Sequence, residues 1–401
     1  MDTRLQKLRD WAQSDLHESL LPWWTAHIMD GKGGFYGRVD AGGVPDPDAD
    51  RYLVLSSRLV WTYSAAYRVT GRPEYRALAE QLCEVFVRWF HDDAHGGFYM
   101  AVDKDGRPAL DYKFVYGNAF AVYALAEYAR AIGGAGALSL AEDTARVMDG
   151  KIYDPVYRGY FETASRDWAW TPTVPGMNRG KDDQKTMNTH LHVIEAYTNL
   201  LRVSDDPRVR SRVRELLYTF LNTITNRDTH HFHVFQDRAW APVTPEQSYG
   251  HDIEGSWLLA EAAEVLGEPQ AIGDAAPVCV NIARAVYDDG FSECGALHTE
   301  YDPRSGEFSN GYTWWEQNEA VVGFLNAWQM TGEERFLDRA VSVMDFAKQY
   351  FVDREQGGWR AHVLRSLAPA QGIDKATRSI CPYHNARMHL EIIERTDKLK
   401  Q

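Results

Sequence analysis

"GGFYMAVDKDG", residues 96–106, is a glycine pair followed by two aromatic positions and a short segment that runs to another glycine. Related stretches recur: "GGFYGRVDAGG" from Gly33, "RGYFETASRDW" from Arg158, "HHFHVFQDRAW" from His230, "CGALHTEYDPRSG" from Cys294 and "GGWRAHVLRS" from Gly357. With Phe35, Phe98, Tyr160, Phe232, Ala296 and Trp359 as equivalent points, the separations are 63, 62, 72, 64 and 63 residues. That is an internal repeat with one insertion.

Each interval holds two helical patterns. One is rich in aromatic and small residues, as in "FVYGNAFAVYALAEYARAIG" at 114–133, and is apolar nearly all round. The other, such as "EYRALAEQLCEVFVRWFHD" from Glu74, repeats its apolar residues at i, i+3, i+4 and i+7. The first kind is expected to be buried and the second to face water. Breaks such as "VTGRPEY", "VLGEPQ" and "MTGEERF" put glycine just past a helix end.

Six such pairs close naturally into an (α/α)6 barrel, an all-α fold with short β-hairpins at one rim. An open solenoid would need an extra polar capping unit at each end, and neither end supplies one. The expectation is therefore one catalytic domain over residues 1–401.

Bulk properties narrow the function. The chain is 44% apolar and 25% charged, with no apolar run near the ~18 residues of a membrane span. A net charge of −14 opposes a polyanionic partner, so no nucleic acid is expected. Cys83, Cys279, Cys294 and Cys381 form no C-x-x-C pair and fit reduced thiols. The charged N-terminal stretch reads as an amphipathic helix instead of a signal peptide, which points to a cytoplasmic protein. "GGAGAL" at 133–138 is no dinucleotide motif and reads as a flexible loop.

If the buried helices converge, their first turns line one cavity. Those turns carry Arg58; Tyr116 and Asn118; Asn188 and His192; His251 and Glu254; Trp315 and Glu319; and His384 and Arg387. His190 and His192, two apart on a helix, point ~200° apart, so they cannot clip one ion. His192 belongs to the cavity and His190 to the structure behind it. Glu195 and Glu254 stand three residues after His192 and His251, where either carboxylate would orient its imidazole.

Three converging imidazoles are a set that zinc uses, but the repeat spreads the helix heads around a broad mouth, so no metal is expected. Proton transfer near neutral pH suits histidine better. Two bases on opposite faces of a carbon acid take a proton from one side and return it to the other, which is epimerisation. Glycoside hydrolysis would need opposed carboxylates, for which Asp252, Glu254, Glu316 and Glu319 are candidates.

Nearly the whole chain resembles the cellobiose 2-epimerases of the N-acylglucosamine 2-epimerase superfamily. The matching stretches are "RYLVLSSRLVWTYSAAYR", "YGNAFAVYALAEY", "MNTHLHVIEAYTNL", "YGHDIEGSWLLAEAAEVLG", "WWEQNEAVVGFLNAWQ" and "CPYHNAR". The resemblance implies an (α/α)6 barrel, no cofactor, and reversible C2 epimerisation of the reducing-end glucose of β-1,4 disaccharides. It implies that His251 and His384 are the acid/base pair at C2 and that His192 assists ring opening. It implies that Arg58 stabilises the enediolate oxygen, and that Tyr116, Asn188, Glu254 and Trp315 hold the sugar. A small sugar is then the expected partner, with no membrane, on a monomer or weak homodimer.

One position departs from the family pattern. A Trp that stacks on substrate usually stands five residues before the last catalytic histidine; here Ser379 stands there. That brings in a monosaccharide 2-epimerase (glucose and mannose) as the alternative substrate choice, beside aldose–ketose isomerisation of mannose in the same superfamily.

Overall fold

The computed structural model describes residues 2–171 and 185–400; part of the insertion, 172–184, lies outside the described residues. The chain begins with α1 (Thr3–Ser14) and α2 (Leu21–Ile28), joined by a π-helical turn at Asp15–Leu20. Then follow α3 (Leu53–Thr70) with α4 (Pro73–Phe90), α5 (Val115–Ile132) with α6 (Ala135–Lys151) and α7 (Met187–Leu201) with α8 (Pro207–Thr219). The last are α9 (Tyr249–Leu266) with α10 (Pro269–Asp289), α11 (Trp314–Thr331) with α12 (Glu334–Tyr350), and α13 (Tyr383–Lys398).

The helices α3, α5, α7, α9, α11 and α13 form a ring in which each packs on the next and α13 packs on α3. The N-terminal α1 packs on α13 as its outer partner. The expected (α/α)6 barrel is the fold observed. Inner α3 is buried without a break from Leu53 to Ala66, whereas outer α4 buries a stripe that includes Tyr75, Ala79, Leu82, Phe86 and Phe90.

Helix ends follow the sequence signals. Gly71, Gly267 and Gly332 end α3, α9 and α11 in the left-handed conformation, with φ of 68°, 70° and 71°. Pro73, Pro207 and Pro269 sit in the first turns of α4, α8 and α10. One expectation is corrected: only Gly133 and Gly134 form a break, and Ala135–Leu138 is already the first turn of α6. Alanine and leucine are strong helix formers, and Ala137 and Leu138 pack against the core.

Short strands stand at one rim. They are β1 (Arg51–Tyr52), β2 (Ala101–Val102), β3 (Pro108–Leu110), β4 (Lys113–Phe114), β5 (Thr163–Ala164) and β6 (Lys185–Thr186). The second half has β7 (Phe235–Gln236), β8 (Gln247–Ser248), β9 (Glu300–Asp302), β10 (Glu307–Phe308), β11 (Tyr312–Thr313) and β12 (His362–Val363). Each strand that leads into an inner helix pairs antiparallel with the hairpin of the next repeat, as β1 with β2, β4 with β5, β6 with β7, β8 with β9 and β11 with β12. The bridge between Val39 and Ala376 completes this rim.

The repeat register has a second correction. Phe35, Phe98, Tyr160, Phe232 and Trp359 occupy matching β-bridges, but the fifth position is Leu297 instead of Ala296. Its N–H donates to Gln317 at 2.9 Å, as Phe98 does to Asn118, Tyr160 to His190 and Phe232 to Asp252, each at 2.8 Å. This bond ties those four turns to the first turns of α5, α7, α9 and α11. Among the described residues, no helix is long and apolar enough to cross a membrane.

Candidate active site

Because β1, β4, β6, β8 and β11 run directly into α3, α5, α7, α9 and α11, and the chain reaches α13 from the rim bridge at Ala376, the N-termini of the inner helices share that rim. Their unpaired N–H groups and dipoles lend partial positive charge to the space between them. The side chains in these first turns meet there. Arg58 donates to the Tyr116 hydroxyl at 2.9 Å and lies between the rings of Phe120 and Tyr383, 4.2 and 4.7 Å from their centroids. The Tyr116 ring stands edge-on to His192, with centroids 5.0 Å apart. Trp315 contacts two imidazoles, with its ring 4.8 Å from His251 and 5.5 Å from His384.

The imidazoles are oriented from behind. Nδ1 of His192 bonds to Glu195 Oε2 at 2.8 Å, and Nδ1 of His384 to Glu319 Oε1 at 2.7 Å. A carboxylate at Nδ1 fixes the proton there and leaves Nε2 with its lone pair toward the cavity. His251 differs from its expected arrangement: its Nδ1 pairs with Ser248 Oγ at 2.7 Å, not with Glu254. Ser248 belongs to β8, so the rim strand reaches this histidine first. Glu254 Oε1 is instead bound by Arg387, and its Oε2 is buried without a hydrogen-bond partner among the described residues.

Arg387 lies at the centre of this layer. It donates to Glu195, Glu254 and Tyr383 and pairs with Glu319 at 2.7 Å, so one guanidinium joins the carboxylates behind His192 and His384. The spacing of the sequence indicates neither this hub nor the contact from Glu319 to His384, since both partners lie on other helices. Trp257 Nε1, at 3.1 Å from Glu319 Oε2, completes that carboxylate's surroundings.

The remaining candidates divide. Asn188 presents a buried Oδ1 with no hydrogen-bond partner among the described residues. Asn118, grouped by sequence with the cavity, is a clamp on the Phe98 turn. His190 is structural, as expected, with Nδ1 on the Thr186 carbonyl at 2.7 Å and Nε2 accepting from the Tyr160 N–H. Asp252 accepts from His231 and the Phe232 N–H, which leaves it outside the cavity. Glu316 is buried beneath Trp315. Ser379 is exposed, its N–H resting on the Thr377 hydroxyl at 3.3 Å.

Burial sets the proton affinities. It pushes His192 and His384 well below the ordinary histidine range, and it lowers His251 as well. All three are therefore neutral and able to accept a proton. Burial raises Glu195 and Glu319, with Arg387 opposing it. Burial also works against the charge on Arg58, but Tyr116, Cys381 and Tyr383 outweigh it, so this arginine stays charged.

The heads converge more tightly than a broad mouth. Ligand atoms of His192, His251 and Glu254 lie within 4.8 Å of one another, as do those of Glu254, Glu319 and His384. The carboxylates in both sets are held by Arg387. The arrangement thus offers neutral bases around a small substrate, a fixed cation at one wall and an indole platform.

The sequence model of the N-acylglucosamine 2-epimerase (GlcNAc 2-epimerase) family matches residues 34–386. The chain belongs to this family. Membership makes it an isomerase of the epimerase class. It is 36% identical over 387 residues to a cellobiose 2-epimerase of Bacteroides fragilis, covering 96% of this chain and 98% of that one. A cellobiose 2-epimerase of Ruminococcus albus is also 36% identical, over 96% of this chain and 97% of that one. The solved structure of the cellobiose 2-epimerase from Bacillus thermoamylovorans superposes with a TM-score of 0.92 at 33% identity, covering 98% of this chain and 100% of that one.

Proposed function

We propose that the chain epimerises C2 of the reducing-end aldose of β-1,4 disaccharides such as cellobiose, without a cofactor, the residues 1–401 acting as one catalytic domain. The observation that carries this reading is the pair of neutral imidazoles, half-buried His251 and buried His384, both against the Trp315 ring and each held at Nδ1.

His192 assists opening of the sugar ring by moving a proton between the anomeric hydroxyl and the ring oxygen. One of His251 and His384 then takes the proton from C2, and the electron pair passes to the C1 carbonyl as a cis-enediolate. Arg58 and the helix N-termini stabilise the charge on its oxygens. Rotation about C2–C3 presents the other face, where the second imidazole returns a proton. Tyr116, Asn188, Glu254 and Trp315 hold the sugar during this exchange.

Incubation with cellobiose in deuterated water tests the scheme: deuterium is expected at C2 of the epimer, and epimer formed without label overturns it. Ser379, exposed where the resemblance calls for a stacking ring, favours a second reading in which the substrate is a monosaccharide. A panel of cellobiose, lactose, mannobiose, glucose and mannose separates the two, and the ketose formed in each case measures isomerisation at C1.

A further inference from the structure

Among the described residues, Glu316 is the one carboxyl of the inner layer that has no cation beside it. It stands in the first turn of α11, with no exposed surface. The Thr313 hydroxyl bonds its Oε2, while Oε1 is buried and has no hydrogen-bond partner among the described residues. The charged groups facing it are Glu254 from α9 and Glu300 from β9, both of the same sign as an ionised Glu316, and Thr299 supplies a further hydroxyl nearby. The other inner carboxylates, Glu195, Glu254 and Glu319, all share Arg387.

The side chain also wedges two helix heads together. A Cβ built on Gly250 would lie 2.3 Å from Glu316 Cγ and 2.7 Å from the Trp315 ring. Gly250 immediately precedes His251, so α9 approaches α11 through the glycine, directly over this carboxyl. A charge there would be held away from water, which costs heavily without a counter-ion.

We propose that Glu316 is a positioning residue that works as an uncharged acid, holding the heads of α9 and α11, and with them His251 and Trp315, in register, and that its ionisation sets the enzyme's alkaline limit. In the acid form the proton is shared with the Thr313 hydroxyl and no repulsion acts on Glu254. In the ionised form Glu316 repels Glu254 and Glu300, and the shared wedge between Gly250 and Trp315 is pushed apart. Burial, followed by these two carboxylates, lifts the group to about 8, near the top of the physiological range.

The sign of the linkage follows. A carboxyl raised on folding contributes stability that is fully present below its unfolded value and is lost as pH rises through its folded value. The window therefore runs from about 4.5 to about 8.

The test compares the full-length chain with Glu316→Gln, whose amide matches the acid form in shape. Thermal unfolding is followed across that window: the wild type should lose stability with rising pH more steeply than the variant. In parallel, the variant should hold the rate it has at about pH 7 up to about pH 9, while the wild-type rate falls through the folded value. Parallel unfolding curves overturn the proposal whatever the activity shows. The rate readout rests on the epimerase reading, whereas the unfolding readout does not, so the failure of one is distinguishable from that of the other. Should the variant not fold, Glu300→Gln, at an exposed position, removes one of the two facing carboxylates and should move the alkaline loss of stability to lower pH; an unmoved profile overturns the proposal.

Discussion

His190 and His192 stand two positions apart in α7, and the helix turns their rings to opposite sides. His190 satisfies the Tyr160 N–H beneath the rim turn, and His192 meets Tyr116 and Phe120 in the cavity. Their alanine variants should fail in opposite ways. His190→Ala leaves a buried N–H without an acceptor and should cost about 1–3 kcal/mol of stability. His192→Ala leaves Glu195 still held by Tyr383 and Arg387, and should fold normally while kcat falls about 10²-fold or more. Denaturant unfolding and steady-state rates on the same two preparations check this; a destabilised His192 variant with normal turnover would contradict it. The contrast is legible in sequence because it depends only on helical period. So is the pairing of His192 with Glu195, three residues on. The pairing of His384 with Glu319 is not, because 65 residues separate them and only ring closure brings them together.

At the level of elements, helix pairs are the most legible part of the fold, since glycine stops, proline starts and the change from all-round to one-sided apolarity mark each boundary. The rim is less so: strands of two or three residues are too short for a period-2 pattern, and the fifth repeat, with Ala296 and Leu297 in place of an aromatic, hides its register. What holds the rim is a buried ion pair repeated three times, Lys113 with Asp92 at 2.9 Å, Lys185 with Asp154 at 3.2 Å and Lys375 with Asp353 at 2.5 Å. Each lysine lies just before an inner helix or on the strand leading to it, and each aspartate begins a Gly-aromatic turn. The sequence gives no sign that they meet, because the turn belongs to the preceding repeat unit. Lys113 and Asp92 have no exposed side-chain surface. Asp92→Asn removes the charge that Lys113 and Arg166 both face, and should destabilise the protein by about 3 kcal/mol, since an unpaired buried charge costs more than the pair contributes. Asp93→Asn, on the neighbouring exposed carboxylate, should change stability by under about 0.5 kcal/mol. Equal effects in denaturant titrations would show that the pair does not carry the turn.

The whole molecule is a ring, and a ring has a seam. Here the seam joins α1 to α13, the outer and inner members of the sixth pair, which lie at opposite ends of the sequence. Asp15, in the π-helical turn after α1, accepts from Trp359 Nε1 at 3.1 Å and pairs with His389 Nε2 at 2.8 Å. Trp11 stands edge-on to His389 at 4.8 Å, and Arg9 reaches the Thr396 hydroxyl at 2.8 Å. The closure expected from the lack of capping units is thus made by a carboxylate buried among rings, a device that composition cannot reveal. The seam matters for the site because α13 carries both His384 and Arg387. Asp15→Ala strands two buried donors and should cost about 2–5 kcal/mol. The loss should be uneven, because α1 and α13 are bound to the rest of the ring through this contact and through α3, α11 and α12. Amide exchange in α1 and α13 should therefore rise before that in α5 and α7, and activity should fail at temperatures where the bulk helical signal is still intact. If exchange rises uniformly around the ring and activity is lost only with global unfolding, the seam is no weaker than any other interface, and the geometry of His384 does not depend on closure at Asp15.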